Sequence, residues 1–252
     1  MSGDAPVIVV RGEGDDANAV AESVAAAGGV VANRSDDGTV DPDAAVVDAD
    51  AVFAVGEAAL FEFATADPAA PILPIACTVG HQSISHADVA DAVRALRTGA
   101  MRTVEHPVLT VTVDGTLAGT ALADVTLMTD EPARISEYAV STPTERVDSF
   151  RADGVVVATP LGSHGYARGV GGPILAPETG VVAVPISPYT TRSDSWVHRL
   201  PVTLSVERDE ASVTLILDDE EARDVPAYAP VELSVGDDRL FLQLLERYDD
   251  SS

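Results

Sequence analysis

Near Arg102 the apolar pattern of this chain changes period, and no other feature restricts its fold as tightly. Before that point, short apolar runs alternate with Ala-rich stretches of helical spacing. Pro6–Val10, Val30–Ala32, Ala44–Val47, Ala51–Val55 and Ile72–Ala76 read as buried strands, and Asp16–Ala27, Ala58–Thr65 and His86–Leu96 as helices. The first helix ends at Gly28-Gly29 and the last opens at Ser85, a suitable N-cap. Strands alternating with helices predict a doubly wound, mostly parallel sheet. After Arg102 the period becomes two. Val108–Val113 alternates, Asp114-Gly115 marks a tight turn, and Thr116–Met128 continues the β pattern. Val155–Ala158, Gly180–Pro185, Leu200–Val206, Ser212–Leu217, Val231–Val235 and Leu240–Leu245 follow as strands, with few helical signals between them. The expected fold is therefore α/β plus β, an N-terminal α/β domain over residues 1–98 and a mainly antiparallel β-rich domain over 99–252.

Charge narrows the setting. The 252 residues hold 41 acidic and 15 basic side chains, a formal net charge of −26, and every basic residue is arginine. Self-repulsion of that size strains a compact state at low salt. At about 1 M salt the screening length falls to roughly 3 Å and the strain largely disappears. A cytoplasm of high salt is the expected home. Binding to nucleic acid or to an anionic membrane is disfavoured, because both need a basic footprint. The single cysteine, Cys77, excludes a disulfide framework and a cysteine-rich zinc site. No apolar run reaches 18 residues and no signal peptide is recognisable at the start.

One segment, Arg151–Pro177 (RADGVVVATPLGSHGYARGVGGPILAP), concentrates the residues of a ligand site. A strand runs into Thr159-Pro160, then into a glycine-rich stretch from Gly162 to Gly172 that holds Ser163, His164 and Tyr166. Backbone N–H groups freed by glycine, with hydroxyls between them, suit a phosphate or a sugar. A glycine-rich pair of turns in a β domain has the same look.

TPLGSHGY followed by GVGGPILAP resembles the TPTGSTAY…GGPI signature of NAD kinases. Upstream, TGAMRTVEHPVLTVTVDG and ALADV resemble two further stretches of that family. Downstream, VPISPYTTRS and LILDDEEARDVPAYAPVELSVGD resemble two more. The resemblance is strong over Asp153–Pro188 and covers the chain from Asp50 onward. It implies phosphoryl transfer from ATP, or from polyphosphate, to the adenosine ribose 2′-hydroxyl of NAD, with Mg²⁺ as cofactor. It also implies NAD(P) and ATP as ligands, and a homo-oligomer.

The resemblance assigns roles residue by residue. The family's Gly-Gly-Asp-Gly-Thr loop aligns with Val55-Gly56-Glu57-Ala58-Ala59, which makes Glu57 the general base and Gly56 the phosphate-facing backbone. Arg168 and Arg192 are the cations expected beside phosphate. Asp124, Thr159, Gly162, Ser163 and Tyr166 are expected to bind NAD. Departures accompany the matches. The loop has lost two glycines and a threonine, Ala123 stands where the family has an asparagine, Leu161 and His164 replace threonines, Tyr189 replaces a histidine and Asp219 a glycine. Any lost glycine whose φ must be positive would strain its replacement. The dinucleotide residues are better kept than the donor loop. Two other readings follow: a catalytically silent NAD(P)-binding relative acting as sensor or partner subunit, and a phosphotransferase for another substrate. No residue set has metal-ligand spacing, and Cys77 reads as a small buried hydrophobe.

Overall fold

The computed structural model describes residues 4–35, 38–41, 48–66, 68, 70–77, 82–131, 134–190, 194–208 and 211–245, the last span without the side chains of 237–239. The chain forms two compact units, Met1–His106 with Leu240–Ser252, and Pro107–Arg239.

The first unit is built on parallel strands. β1 (Val7–Arg11) is followed by α1 (Gly14–Ala26), β2 (Val30–Val31), β3 (Ala51–Val55), α2 (Glu57–Phe61), β4 (Ile72–Ile75) and α3 (Val89–Thr98). β1 pairs in parallel with β2 and β3, and β3 with β4, giving the order β2-β1-β3-β4. Strands of such a sheet are apolar on both faces, as β3 shows, with all five residues buried. α1 places Ala17, Val20, Ala21 and Val24 on one stripe, and α3 adds Val89, Ala92 and Val93. Both stripes close on Ile8, Val10, Phe53, Leu73 and Ile75. At the start of α3, the Asp88 carboxylate accepts from the Ser85 hydroxyl at 2.6 Å and from its N–H at 3.2 Å. The expected strand Ala44–Val47 lies outside the described residues.

The second unit is antiparallel throughout. It comprises β5 from Pro107 onward (the strand as a whole is Met101–Val113), β6 (Thr116–Ala121), β7 (Asp124–Thr129), β8 (Ser136–Ser141), β9 (Arg146–Ala152), β10 (Gly154–Ala158), β11 (Val181–Ile186), β12 (Trp196–His198), β13 (Val202–Arg208), β14 (Val213–Leu217) and β15 (Glu220–Asp224). The start of β16 (Val231–Leu245) completes it. One sheet has the order β12-β11-β10-β7-β14-β15, and a second pairs β16, β13, β8 and β9. Their inner faces interdigitate through Leu109, Val125, Leu127, Tyr138, Val157, Leu204, Leu215 and Leu233. Strands with one solvated face alternate: β13 buries Val202, Leu204 and Val206 and leaves the residues between them partly open. β10 and β11 do not alternate. Their outer face, Val156, Ala158, Val182 and Val184, is covered by Ala167 and Leu175 of the glycine-rich segment.

Three differences from expectation have physical causes. The run Thr116–Met128 is not one strand, because Leu122 and Ala123 break it into β6 and β7. Conversely Val231–Leu245 is one strand: its start pairs with β13 and its Leu242 pairs in parallel with Ile72 of β4. The final segment therefore belongs to the first unit, and the chain leaves that unit after His106, not at residue 98. β9 and β15 were invisible to an apolar pattern because they are edge strands; all five residues of β15, EEARD, are exposed. Charged edges discourage pairing with other chains.

Candidate functional site

Glu57 is the first residue of α2 and half-buried, directly after Gly56 at φ +84°. The Gly56 N–H donates to the Ile75 carbonyl at 2.9 Å, which ties the loop to the end of β4. Positive φ falls on Gly56 alone: Val55 ends β3, and Ala58 and Ala59 are helical. The expected strain from the lost glycines is absent, since no replacement occupies a left-handed position. Cys77 follows β4, its N–H donating to the Ser83 hydroxyl at 2.9 Å. Burial pushes its thiol up to about 11, and the nearby Glu57 carboxylate pushes the same way. The apolar run ILPIAC thus ends in a half-buried cysteine that stays protonated at neutral pH. Gly56, Glu57 and Cys77 lie at the carboxyl ends of β3 and β4, the end of an open parallel sheet where ligands bind.

In the second unit, three stretches distant in sequence form one knot of hydrogen bonds. The Asp218 carboxylate accepts from the N–H groups of Leu122 at 2.9 Å, Ala123 at 2.7 Å and Asp124 at 3.1 Å. On the other side of the turn, the Thr159 hydroxyl donates to the Leu122 carbonyl at 2.7 Å, and the Thr159 N–H donates to that of Ala123 at 2.9 Å. Gly162 then lies directly on Ala123: a Cβ on Gly162 would stand 2.5 Å from the Ala123 carbonyl carbon. Ser163 donates to the Pro160 carbonyl at 2.8 Å and accepts from the Leu175 N–H at 3.0 Å.

Three of the expected NAD-binding residues have a structural task in this knot. Thr159 and Ser163 are fully buried with their hydroxyls committed to the backbone, and Gly162 is glycine because a neighbouring backbone occupies the space of a side chain. All three shape the loop. Asp218 was missed. Its signal in the sequence is its place beside Asp219 in the stretch LILDDEEARDVPAYAPVELSVGD that resembles the family, and its φ of +57° is tolerated by aspartate better than by most residues.

Two of the expected ligand residues do come together. Asp124, at the start of β7, is 8% exposed and accepts from the Thr126 hydroxyl at 3.3 Å. Tyr166 opens α4 (Tyr166–Gly169) and is exposed; partial burial raises its pKa first, then the charges of Asp124 and Asp153. Tyr166 therefore stands within electrostatic reach of both carboxylates. Arg168, also on α4, is exposed and in no ion pair with the described residues. Arg192 lies outside the described residues.

A cleft of about 350 Å³ in the same unit is lined by Arg151, Phe150, Trp196, Pro185, Pro188 and Tyr189, among others. The Arg151 guanidinium lies 5.8 Å from the Tyr189 ring centroid, and Phe150 stacks on Trp196 at 5.4 Å. Three carboxylates, Glu137, Asp148 and Asp194, line the cleft beside that one cation, and its flat aromatic walls suit a planar ring. No three His, Cys, Asp or Glu among the described residues gather into a metal cage.

Residues 122–242 match the family model described as the ATP-NAD kinase C-terminal domain. An NAD kinase of Methanosarcina barkeri is 36% identical over 110 residues, 42% of this chain and 40% of the relative. One of Methanopyrus kandleri is 32% identical over 143 residues, 56% and 49% of the two chains. The chain thus matches two fifths to one half of the length of these relatives. An NAD kinase from Archaeoglobus fulgidus in complex with ATP superposes with TM-score 0.68 at 18% identity, over 94% of this chain and 92% of the other. Yeast NADH kinase complexed with NADH superposes with TM-score 0.72 at 13% identity, over 96% and 84%. The α/β-plus-β fold is therefore the fold of NAD kinases. Among the described residues no helix is long and apolar enough to cross a membrane.

Proposed function

We propose that this chain is a member of the NAD kinase family, to which its second half and its fold are similar, and that it phosphorylates the adenosine ribose 2′-hydroxyl of NAD to give NADP. The phosphoryl donor is ATP or polyphosphate, and the working medium is a high-salt cytoplasm. The observation that carries this reading is the knot in the second unit. It joins three of the stretches that resemble the family, around Asp124, Thr159–Gly162 and Asp218, and holds Asp124 and Tyr166 within electrostatic reach of one another.

The roles follow from the chemistry. Asp124 and Tyr166 orient the nucleotide's sugar by accepting from and donating to its hydroxyls. The aromatic cleft beside Arg151 takes a planar ring. Glu57 accepts the proton of the attacking hydroxyl, help that is typically worth about 10²–10⁴-fold in rate. Gly56 leaves the backbone there free of a side chain, so phosphate can approach closely, and Arg168 and Arg192 neutralise phosphate. Mg²⁺ carried on the nucleotide supplies further neutralisation of the phosphate charge. The ligands of the two similar structures, ATP and NADH, support a nucleotide donor and a dinucleotide acceptor. Assembly into a homo-oligomer is part of the proposal, tested by sedimentation in the same salt.

A silent NAD(P)-binding relative is the second reading, favoured by Glu57-Ala58-Ala59 where the family has Asp-Gly-Thr. Glu57→Gln separates the two. In about 2 M KCl, chosen to screen the carboxylates, it lowers NADP formation by roughly 100-fold or more and leaves the NAD dissociation constant unchanged. Unaltered turnover removes Glu57 from the reaction.

A further inference from the structure

We propose that Asp218 is the positioning residue of the dinucleotide site, its carboxylate fixing the Leu122–Asp124 turn in the conformation that presents Asp124 to NAD. The inference rests on the reading of Asp124 as a nucleotide ligand. Three consecutive N–H groups converge on this one carboxylate, and that of Leu122 reaches both oxygens, at 2.9 and 3.2 Å. Consecutive amides aimed at one point form an anion nest, here filled by a side chain 94 positions away from the last of them. The bond is reciprocal, because the Asp218 N–H donates to the Asp124 carbonyl at 2.9 Å. Asp124 is thus held by Asp218 through both its backbone groups.

Thr159 grips the carbonyls of the same turn, so the two side chains hold it from opposite sides. The demand on the residue type is narrow. Three donors need an ionised acceptor with two oxygens, and asparagine offers one oxygen and an N–H₂ that faces donors. Glutamate keeps both oxygens but carries them a methylene further. Burial raises the Asp218 pKa, Asp219 adds to this, and the three N–H groups oppose it. The carboxylate is therefore kept half-buried against the preference of water, in return for a turn with a single geometry.

Calorimetric titration with NAD in about 2 M KCl tests this on four proteins: the unaltered chain, Asp218→Asn, Asp124→Asn and the double variant. Glu221→Gln, an exposed carboxylate on β15, controls for the loss of one charge. Asp218→Asn is expected to weaken NAD roughly tenfold or more, with Glu221→Gln unchanged, and the double variant to be no weaker than Asp124→Asn alone within about twofold. Coupled residues fail to add in this way, whereas a general loss of stability adds. Independent, additive losses overturn the inference, as does unchanged affinity in Asp218→Asn. Should Asp218→Asn lose its far-ultraviolet circular dichroism, Asp218→Glu takes its place in the cycle under the same two outcomes. An unaltered chain that binds no NAD overturns the nucleotide reading and this inference together. An unaltered chain that binds NAD while Asp218→Asn binds equally well overturns the inference alone.

Discussion

Gly162→Ala is the substitution for which the structure sets the magnitude most directly. The new Cβ would stand 2.5 Å from the Ala123 carbonyl carbon, 3.0 Å from its Cα and closer still to its oxygen. Every one of these atoms is backbone, so no side chain can rotate away. The two strands of the knot must separate, and the first bonds stretched are the Thr159 N–H to Ala123 at 2.9 Å and the Thr159 hydroxyl to Leu122 at 2.7 Å. Overpacking in a closed interior costs about 1–3 kcal/mol, and each buried hydrogen bond broken without replacement costs about 1–3 kcal/mol more. With one of these bonds lost, a total of about 2–6 kcal/mol follows, which for a chain of this size lowers the melting temperature by roughly 5–20 °C. Thermal unfolding followed by circular dichroism in about 2 M KCl reads it. Gly169→Ala is the matched control: it adds the same methyl seven residues on, in a helical position with nothing within 4 Å, and its effect should stay within about 0.5 kcal/mol. Equal melting temperatures for the two variants would refute the view that Gly162 is there for backbone packing.

Further outcomes follow from the same structure. Cys77 is the sole cysteine, so alkylation of the native chain reports on it alone; with its thiol held near 11, the rate should keep rising with pH well beyond 9, and a plateau at pH 9 would contradict its burial. Tyr138 is fully buried, its hydroxyl 2.7 Å from that of Thr129, and burial pushes its pKa up to about 12. The unfolded chain ionises this tyrosine near pH 10, so its contribution to stability is complete below pH 10. It falls by up to about 2–3 kcal/mol between pH 10 and 12. Denaturant titrations across that range should show the loss, and Tyr138→Phe should remove it. A net charge of −26 predicts a melting temperature that falls as KCl is lowered from about 2 M to 0.1 M; a salt-independent value would contradict the high-salt reading.

What was legible in the sequence is what local periodicity encodes. Ala17, Val20, Ala21 and Val24 announce α1, and Val202, Leu204 and Val206 announce β13, because each stripe has to face an interior. The Asp114-Gly115 pair announces the turn between β5 and β6, both residues being at positive φ. Long-range pairing left no such trace: nothing near Leu242 signals a parallel partner at Ile72. The same limit governed the site. Motif resemblance located Asp124, Thr159, Gly162, Ser163 and Tyr166, yet gave one role to all five. Only the fold separates Tyr166, which is exposed, from Thr159 and Ser163, whose hydroxyls are spent on carbonyls. Asp218 lay in a stretch matched to the family, beside Asp219, yet its task shows only when three N–H groups are seen to converge on it.

The central claim is that this chain forms a phosphate ester at one oxygen of NAD. Its most direct test is to incubate the protein with NAD, ATP and Mg²⁺ in about 2 M KCl and to identify the product by ³¹P magnetic resonance. A new monoester resonance at the adenosine 2′-oxygen, absent with Glu57→Gln, is the expected result. NAD bound in the same buffer but recovered unphosphorylated, with polyphosphate as well as with ATP, would contradict the claim and leave a nucleotide-binding relative without the chemistry.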